Sequence, residues 1–346
     1  MNRVVELEIK IFQVFCGDCI SIVYTDEEAN LKSIIIDAGY AQTYHRTLKQ
    51  EIVKMKEVDL FVITHMDDDH IGGMTSLINE YPILPIKEFW FNYCPIDSDI
   101  STQMTNKISV GQALKLREYL SKTSIISPTK LQGFECQIGL ANLKVLSPNE
   151  KSYEKYVKLF PTDKTENKFL NKISARENDY LASVESFRDV LFIEDSSIPN
   201  GGSIAFLFQL LNFKMLFLAD AHPSVIVDGL TNLGFSKENK ISVDYVKLSH
   251  HASSFNISEA LIEMIDCKNY IISTDGSKHQ LPNKKTLSKI LLSQTINDIN
   301  FIFNYDNQIT RNIFTLEEQN QFGFELTYPF EGENYYSIKQ SLHYDT

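Results

Sequence analysis

The sequence has 346 residues, a length that fits two ordinary domains or one large domain with insertions and excludes a small disulfide-held scaffold. Apolar residues make up 43% and charged residues 23%, with 22 Phe and 16 Tyr, so a sizeable core is available and disorder is excluded. Lys and Arg number 33 against 45 Asp and Glu, and the net charge of -12 is opposite in sign to the basic face of a protein that grips a nucleic-acid backbone over a broad surface.

The amino terminus alternates like a strand and carries charges where a signal peptide has an apolar block, and no apolar run reaches the roughly 18 residues of a membrane span. These features predict a cytoplasmic protein without membrane contact. Leu7 to Phe15, Ile20 to Tyr24 and Ser33-Ile34-Ile35-Ile36 read as strands, the last closing at Asp37-Ala38-Gly39 as a strand buried on both faces does. The five cysteines are odd in number and scattered, which suits free thiols in a reducing compartment. Cys16 and Cys19 form a C-x-x-C with neither a second pair to complete a zinc site nor a following helix, and read as small residues at a strand turn.

Thr47 to Lys56 reads as a helix, and Val58 to Thr64 as a second buried strand that delivers the chain into His65. Val110, Ala113, Leu116 and Leu120 put one apolar stripe on a helix, and Asn142 to Leu146 is a short strand. Residues 149 to 200 turn polar, with scattered aromatics such as Tyr153, Tyr156, Phe160 and Phe169, the character of an insertion or lid. Ser203 to Leu211 and Lys214 to Leu218 then form a hairpin ending at Asp220. Val243 to Ser249 ends at His250-His251, and Tyr270 to Ser273 runs toward His279 ahead of a helix from Asn283 to Leu292. The tail from Asn300 has strand-like patches and no recognisable chemistry, so the reading is one domain over 1–299 with an extension over 300–346.

The chemistry-bearing residues lie at strand ends, where a packed sheet can fix ligands and still expose them. Thr64-His65-Met66-Asp67-Asp68-Asp69-His70-Ile71-Gly72-Gly73 places three carboxylates and two imidazoles in six residues, a set that needs a cation to compensate it. In a tight loop His65 and Asp67 can face one divalent ion while Asp69 and His70 face a neighbour, with Gly72-Gly73 letting the next helix begin close by. An exposed acidic loop with incidental histidines is the competing reading, and the buried strand before the loop and the Gly-Gly break after it weigh against that.

The loop resembles the H-x-H-x-D-H signature of metallo-β-lactamase fold hydrolases, in the H-x-D-x-D-H-I-G-G variant of the hydrolase domain of ComEC-type DNA-internalisation proteins. Further likenesses follow in order: Gly17-Asp18-Cys19-Ile20, Ile35-Ile36-Asp37-Ala38-Gly39, Asn200-Gly201-Gly202-Ser203, Leu218-Ala219-Asp220, Leu248-Ser249-His250-His251-Ala252-Ser253, and Ser273 to His279. The sequence departs from the pattern where Ala219 and Ala252 replace glycine, and where no histidine occurs between Ile71 and Ala219, a stretch in which many family members keep a third ligand for the first metal.

The resemblance implies a four-layer αβ/βα sandwich, an α/β fold of the metallo-β-lactamase type, with a polar insertion and a C-terminal extension. It implies two divalent ions, Zn²⁺ or Mn²⁺, with His65 and Asp67 on one, Asp69 and His70 on the other, and Asp220 bridging. Of the adjacent pair, His250 is expected to ligate and His251 to face the substrate, with His279 donating to the transition-state or leaving oxygen and Asp69 acting in catalysis. Asp18 and Asp37 are either ligand-orienting residues or turn caps. His222 reads as a helix-start residue, and Lys247 and Lys278 as solvated lysines or phosphate contacts.

The activity implied is hydrolysis of a phosphodiester by metal-activated water, acting on a nucleotide or short single strand rather than a long duplex. Two alternatives stay open: hydrolysis of an ester, lactone or thioester by the same metal pair, and a metal-containing partner-binding module of a defence-type system. In the latter, protein contacts fall to the insertion or the tail.

Overall fold

A computed structural model describes residues 2–81, 86–93, 108–123, 128–159, 178–293 and 298–345. The amino-terminal half supplies β1 (Asn2–Phe12), β2 (Ile20–Thr25), β3 (Leu31–Ile36), β4 (Val58–Val62) and β5 (Ile86–Trp90). There follow β6 (Glu135–Ile138), β7 (Ala141–Ser147), β8 (Ala205–Leu210), β9 (Phe213–Phe217), β10 (Ile241–Ser242) and β11 (Tyr245–Lys247). The last strands are β12 (Ile265–Asp266), β13 (Asn269–Ile272), β14 (Ile299–Phe303), β15 (Phe324–Thr327) and β16 (Tyr335–Asp345). One sheet runs β16-β1-β2-β3-β4-β5 and the other β15-β14-β13-β11-β9-β8-β7-β6, while β10 and β12 make a small separate ladder.

The apolar runs are unbroken because alternate residues serve two different cores. Leu60 and Val62 of β4 face the second sheet, with Phe206, Phe208, Met215 and Phe217 across the gap. Phe61 and Ile63 face the other way, onto the helices Leu48–Ile52, Asp68–Glu80 and Ile108–Lys122. The stripe of Val110, Ala113, Leu116 and Leu120 is the buried face of the last of these helices. On the far side of the second sheet, Leu207, Leu216 and Val246 pack against Ile226, Leu261 and Leu287 of three further helices. Helix, sheet, sheet, helix is the expected four-layer αβ/βα sandwich.

Two organisational expectations change. The tail is built into both sheets: β14 and β15 extend the second in parallel, and β16 pairs antiparallel with β1 from Asn2↔Asp345 to Phe12↔Tyr335. A division at 299/300 falls inside β14. The second change concerns the His65–Gly73 segment, whose helix starts at Asp68 rather than after the glycines. Gly73 therefore lies inside the helix, where a Cβ would stand 2.3 Å from the Ala38 carbonyl oxygen, and its N–H donates to the Gly39 carbonyl at 2.8 Å. The glycines let the helix press against the loop after β3, carrying Asp69 and His70 to the sheet ends.

The polar stretch opens with the helix Glu150–Val157, capped by Asn149 and anchored by fully buried Tyr156. Phe160 and Phe169 lie outside the described residues, as does Cys94; Cys16, Cys19, Cys136 and Cys267 are free thiols. Among the described residues no helix is long and apolar enough to cross a membrane.

Because β16 covers the β1 edge along its whole length, a chain ending at residue 334 is expected to unfold at a clearly lower denaturant concentration than the full chain. An independent appendage would leave that midpoint unchanged.

Candidate metal centre

His65 follows β4, Asp67 immediately precedes the helix that presents Asp69 and His70 in its first turn, Asp220 follows β9, and His250 and His251 follow β11. Their side chains converge where the ends of the two sheets meet. Asp220, only 2% exposed, places Oδ1 3.4 Å from His70 Nε2, and Oδ2 3.7 Å from His250 Nε2 and 3.9 Å from His65 Nε2. Asp67 Oδ2 is 3.7 Å from His65 Nε2, and Asp69 Oδ2 is 3.3 Å from His251 Nε2 and 3.7 Å from His70 Nε2. His65, His70 and Asp220 form one cluster whose donor atoms lie within 4.8 Å of each other, and Asp69, His70 and His251 form a second.

All four imidazoles use Nδ1 to hold themselves in place. His70 Nδ1 lies 2.7 Å from Asp37 Oδ2 and His251 Nδ1 lies 2.8 Å from the Ser273 carbonyl, partners that only accept, so in each case the N–H is on Nδ1. His250 Nδ1 is 2.9 Å from Asn256 Oδ1. His65 Nδ1 is 3.1 Å from the Thr64 hydroxyl, which itself donates to Asp37 at 2.8 Å. Every Nε2 atom then points inward, toward a carboxylate. Among the buried atoms without a hydrogen-bond partner are His65 Nε2, His70 Nε2 and Asp220 Oδ1. Buried polar atoms are seldom left so, and imidazoles oriented through Nδ1 with bare Nε2 atoms facing carboxylates are the donor arrangement that divalent ions take.

The local field agrees. Burial opposes charge on His70, yet Asp220, Asp37 and Asp69 outweigh it and hold the imidazole well above its ordinary pKa. Burial likewise opposes the Asp220 carboxylate, and His70, His250 and His251 hold it well below the usual range. The cluster draws positive charge to its centre.

The turn that aims His250 and His251 is strained. His250, His251 and Ala252 all adopt positive φ, at 46°, 53° and 67°, and Ala219 opposite does so at 46°. Each costs on the order of 1 kcal/mol or more for a residue with a Cβ, and the His250 N–H holds the turn by donating to the Ala219 carbonyl at 2.8 Å.

The structure departs from several sequence expectations. In the adjacent pair both Nε2 atoms point at carboxylates, His250 at Asp220 and His251 at Asp69; His251 is buried and His250 half-buried. Lys247 is neither solvated nor free for phosphate: it is 1% exposed and forms a buried ion pair with Asp18, tying the loop before β2 to the second sheet. Asp37 orients His70 and receives the Thr64 N–H at 2.8 Å. His222 stands at the start of the helix Pro223–Asn232, where its side chain makes no capping hydrogen bond. His279 is exposed at positive φ, outside the donor clusters; burial pushes its pKa down, against the pull of Asp69. Cys16 is buried, and burial raises its thiol far above the ordinary range.

Sequence reasoning missed Asp195 and Asn256, and named Asn200 and Ser273 only as parts of motifs without a role. Asp195 Oδ2 accepts from Asn200 Nδ2 at 2.6 Å and Asn256 Nδ2 at 3.1 Å, and Asn256 in turn orients His250. Asp195 belongs to the polar stretch, so that stretch supports the centre directly.

Residues 19–88 match the family model of the metallo-β-lactamase superfamily. No curated protein is significantly similar in sequence. Among solved structures, the metallo-β-lactamase fold protein YhfI from Bacillus subtilis is similar with 10% identity and a TM-score of 0.42, over 97% of this chain and 100% of that one. Igni18, a metallo hydrolase from Ignicoccus hospitalis, gives 10% identity and 0.39 over 99% of both chains. A long form RNase Z from yeast gives 10% and 0.39 over 99% of this chain and 50% of that one. The four-layer αβ/βα sandwich is in keeping with the family model that residues 19–88 match.

Lys247→Met would leave the Asp18 carboxylate buried without its cation, and is expected to cost about 3–5 kcal/mol in denaturant unfolding. Asp18→Asn combined with Lys247→Met is expected to recover most of that loss.

Proposed function

We propose that this protein is a metal-dependent phosphodiesterase or nuclease, and that its centre holds two divalent ions, zinc or manganese, bridged by Asp220. The observation that carries the reading is the placing of Asp220 between two donor sets. Its Oδ1 faces His70 and its Oδ2 faces His65 and His250, and each set includes a second carboxylate, Asp69 or Asp67. His65, Asp67 and His250 would hold one ion; Asp69, His70 and His251 the other.

Bound ions would supply Lewis acidity, making water nucleophilic at neutral pH and neutralising charge on a phosphoryl group attacked in line. The chain's own part is orientation. Asp37, Thr64, Ser273 and Asn256 fix the imidazole rings through Nδ1, which keeps the Nε2 donors aimed before any substrate arrives. Three carboxylates among seven donors make the set rich in hard oxygen, which suits ions that also bind phosphate oxygens. His279, exposed on the loop after β13, would donate an N–H to the leaving oxygen. The likeness to the ComEC-type hydrolase domain supports nucleic acid as the source of the phosphodiester.

The test is chelation followed by restoration with Zn²⁺ or Mn²⁺, assayed on single-stranded DNA, RNA, a chromogenic phosphodiester, an ester and a lactone. Restored phosphodiester cleavage, lowered about a thousandfold or more by Asp220→Ala or Asp69→Ala, is expected. Restored cleavage of the ester or lactone alone would overturn the reading.

A further inference from the structure

The chain is strongly acidic, yet two cations stand on aromatic rings beside the metal centre. The Arg46 guanidinium lies 4.7 Å from the centroid of Phe15, and Lys278 Nζ lies 4.1 Å from the centroid of Tyr40. The two rings are 6.3 Å apart and tilted by 59°. Arg46 and Lys278 are exposed, and neither forms an ion pair with a carboxylate among the described residues. Asp275, an acid on the Lys278 loop, turns its carboxylate back to accept from the Ser277 N–H and hydroxyl at 2.9 and 2.7 Å.

The rings and cations come from three loops that the centre itself organises. The loop after β1 carries Phe15, and its Gly17 carbonyl accepts from the Ser273 hydroxyl at 2.8 Å; the neighbouring Asp18 N–H donates to the Asp69 carbonyl at 3.2 Å. A Cβ on Gly17 would meet that Asp69 oxygen at 2.5 Å, so only glycine allows the approach. The loop after β3 carries Tyr40 and Arg46, and its Gly39 N–H donates to the Asp18 carbonyl at 2.9 Å. The loop after β13 carries Lys278 beside His279. Phe15 is further tied down by its N–H, which donates to the Tyr305 hydroxyl at 2.7 Å.

A cation resting on a ring face keeps its outer N–H groups for an anion and loses little freedom when it binds one. A half-exposed ring beside it offers a flat apolar face. An ester or lactone has no use for both features, whereas a nucleotide chain presents a base and a phosphate within the same few ångströms.

Resting on the phosphodiesterase reading for the role of the centre, we propose that Phe15, Tyr40, Arg46 and Lys278 form the substrate platform for single-stranded nucleic acid, Phe15 stacking a base while Arg46 and Lys278 hold flanking phosphates. The strand is gripped locally, as the net charge of the chain requires, and a duplex with its bases stacked inside has nothing to offer Phe15.

The experiment measures binding apart from hydrolysis. Fluorescence anisotropy of a short fluorescein-labelled oligothymidylate is followed with chelated protein, so that cleavage plays no part. Arg46→Gln with Lys278→Gln is expected to weaken binding about tenfold or more. It should also make the slope of log affinity against log salt shallower by about 1.4, two phosphate contacts at about 0.7 each for a single strand. Phe15→Leu is expected to weaken binding about fivefold or more with the salt slope unchanged, a split that general loss of structure would not give. The duplex of the same length should bind more weakly than the single strand. Oligothymidylate binding that the cation and Phe15 variants leave unmoved would overturn the platform, as would failure to bind while a small chromogenic phosphodiester is still cleaved by the metal-loaded protein. Binding that depends on these residues, without cleavage of any phosphodiester, would keep the platform and overturn the hydrolase reading instead.

Discussion

The Asp220 carboxylate sits just beyond β9, almost wholly buried, with the imidazole nitrogens of His65, His70 and His250 within 3.9 Å of its two oxygens. A carboxylate in that position is costly unless positive charge meets it. Much of the surrounding architecture serves to arrange that meeting. The buried strand β4 delivers His65, the helix beginning at Asp68 delivers Asp69 and His70, and the strained turn after β11 delivers two more imidazoles. A change in any of these elements would reach the centre through Asp220.

The precision of the centre is kept by neighbours that no substrate need touch. Asp37 locks His70 and Thr64, Ser273 locks His251, and Asp195 locks the two asparagines around His250. The Asp18–Lys247 pair joins the first loop to the second sheet directly beside His251. This bracing allows three consecutive positive-φ residues, each unfavourable alone, to persist with side chains aimed at one point. The same bracing fixes the loops that carry Phe15, Tyr40 and Lys278, so the platform and the centre share one framework.

The sheets were legible in the sequence because a strand buried on both faces is an unbroken apolar run with a turn signal after it, as at Ile34–Gly39 and Val58–Thr64. The convergence of the His65–His70 segment on the sheet ends was legible for a different reason: so many charges at such short spacing after a buried strand need a cationic counterpart. The tail was harder, since β16 covers an edge and its exposed alternate residues give it a weak pattern. Asp195 gave no signal at all, being a lone acid in a polar stretch, 61 residues from the asparagine it holds. Nor could residue types announce the turn at His250-His251-Ala252, where glycine would be expected and tertiary contacts overrule the preference. Lys247 was misread because a lysine at a strand end is usually solvated, and its buried partner lies 229 residues away.

The central claim is that one bridging carboxylate unites two ion sites, and calorimetric titration of chelated protein with Zn²⁺ or Mn²⁺ tests it most directly. The account predicts two ions per chain, with Asp220→Ala weakening both and Asp67→Ala weakening one far more than the other. Tight binding of two ions that is indifferent to Asp220, or no binding at all, would contradict it.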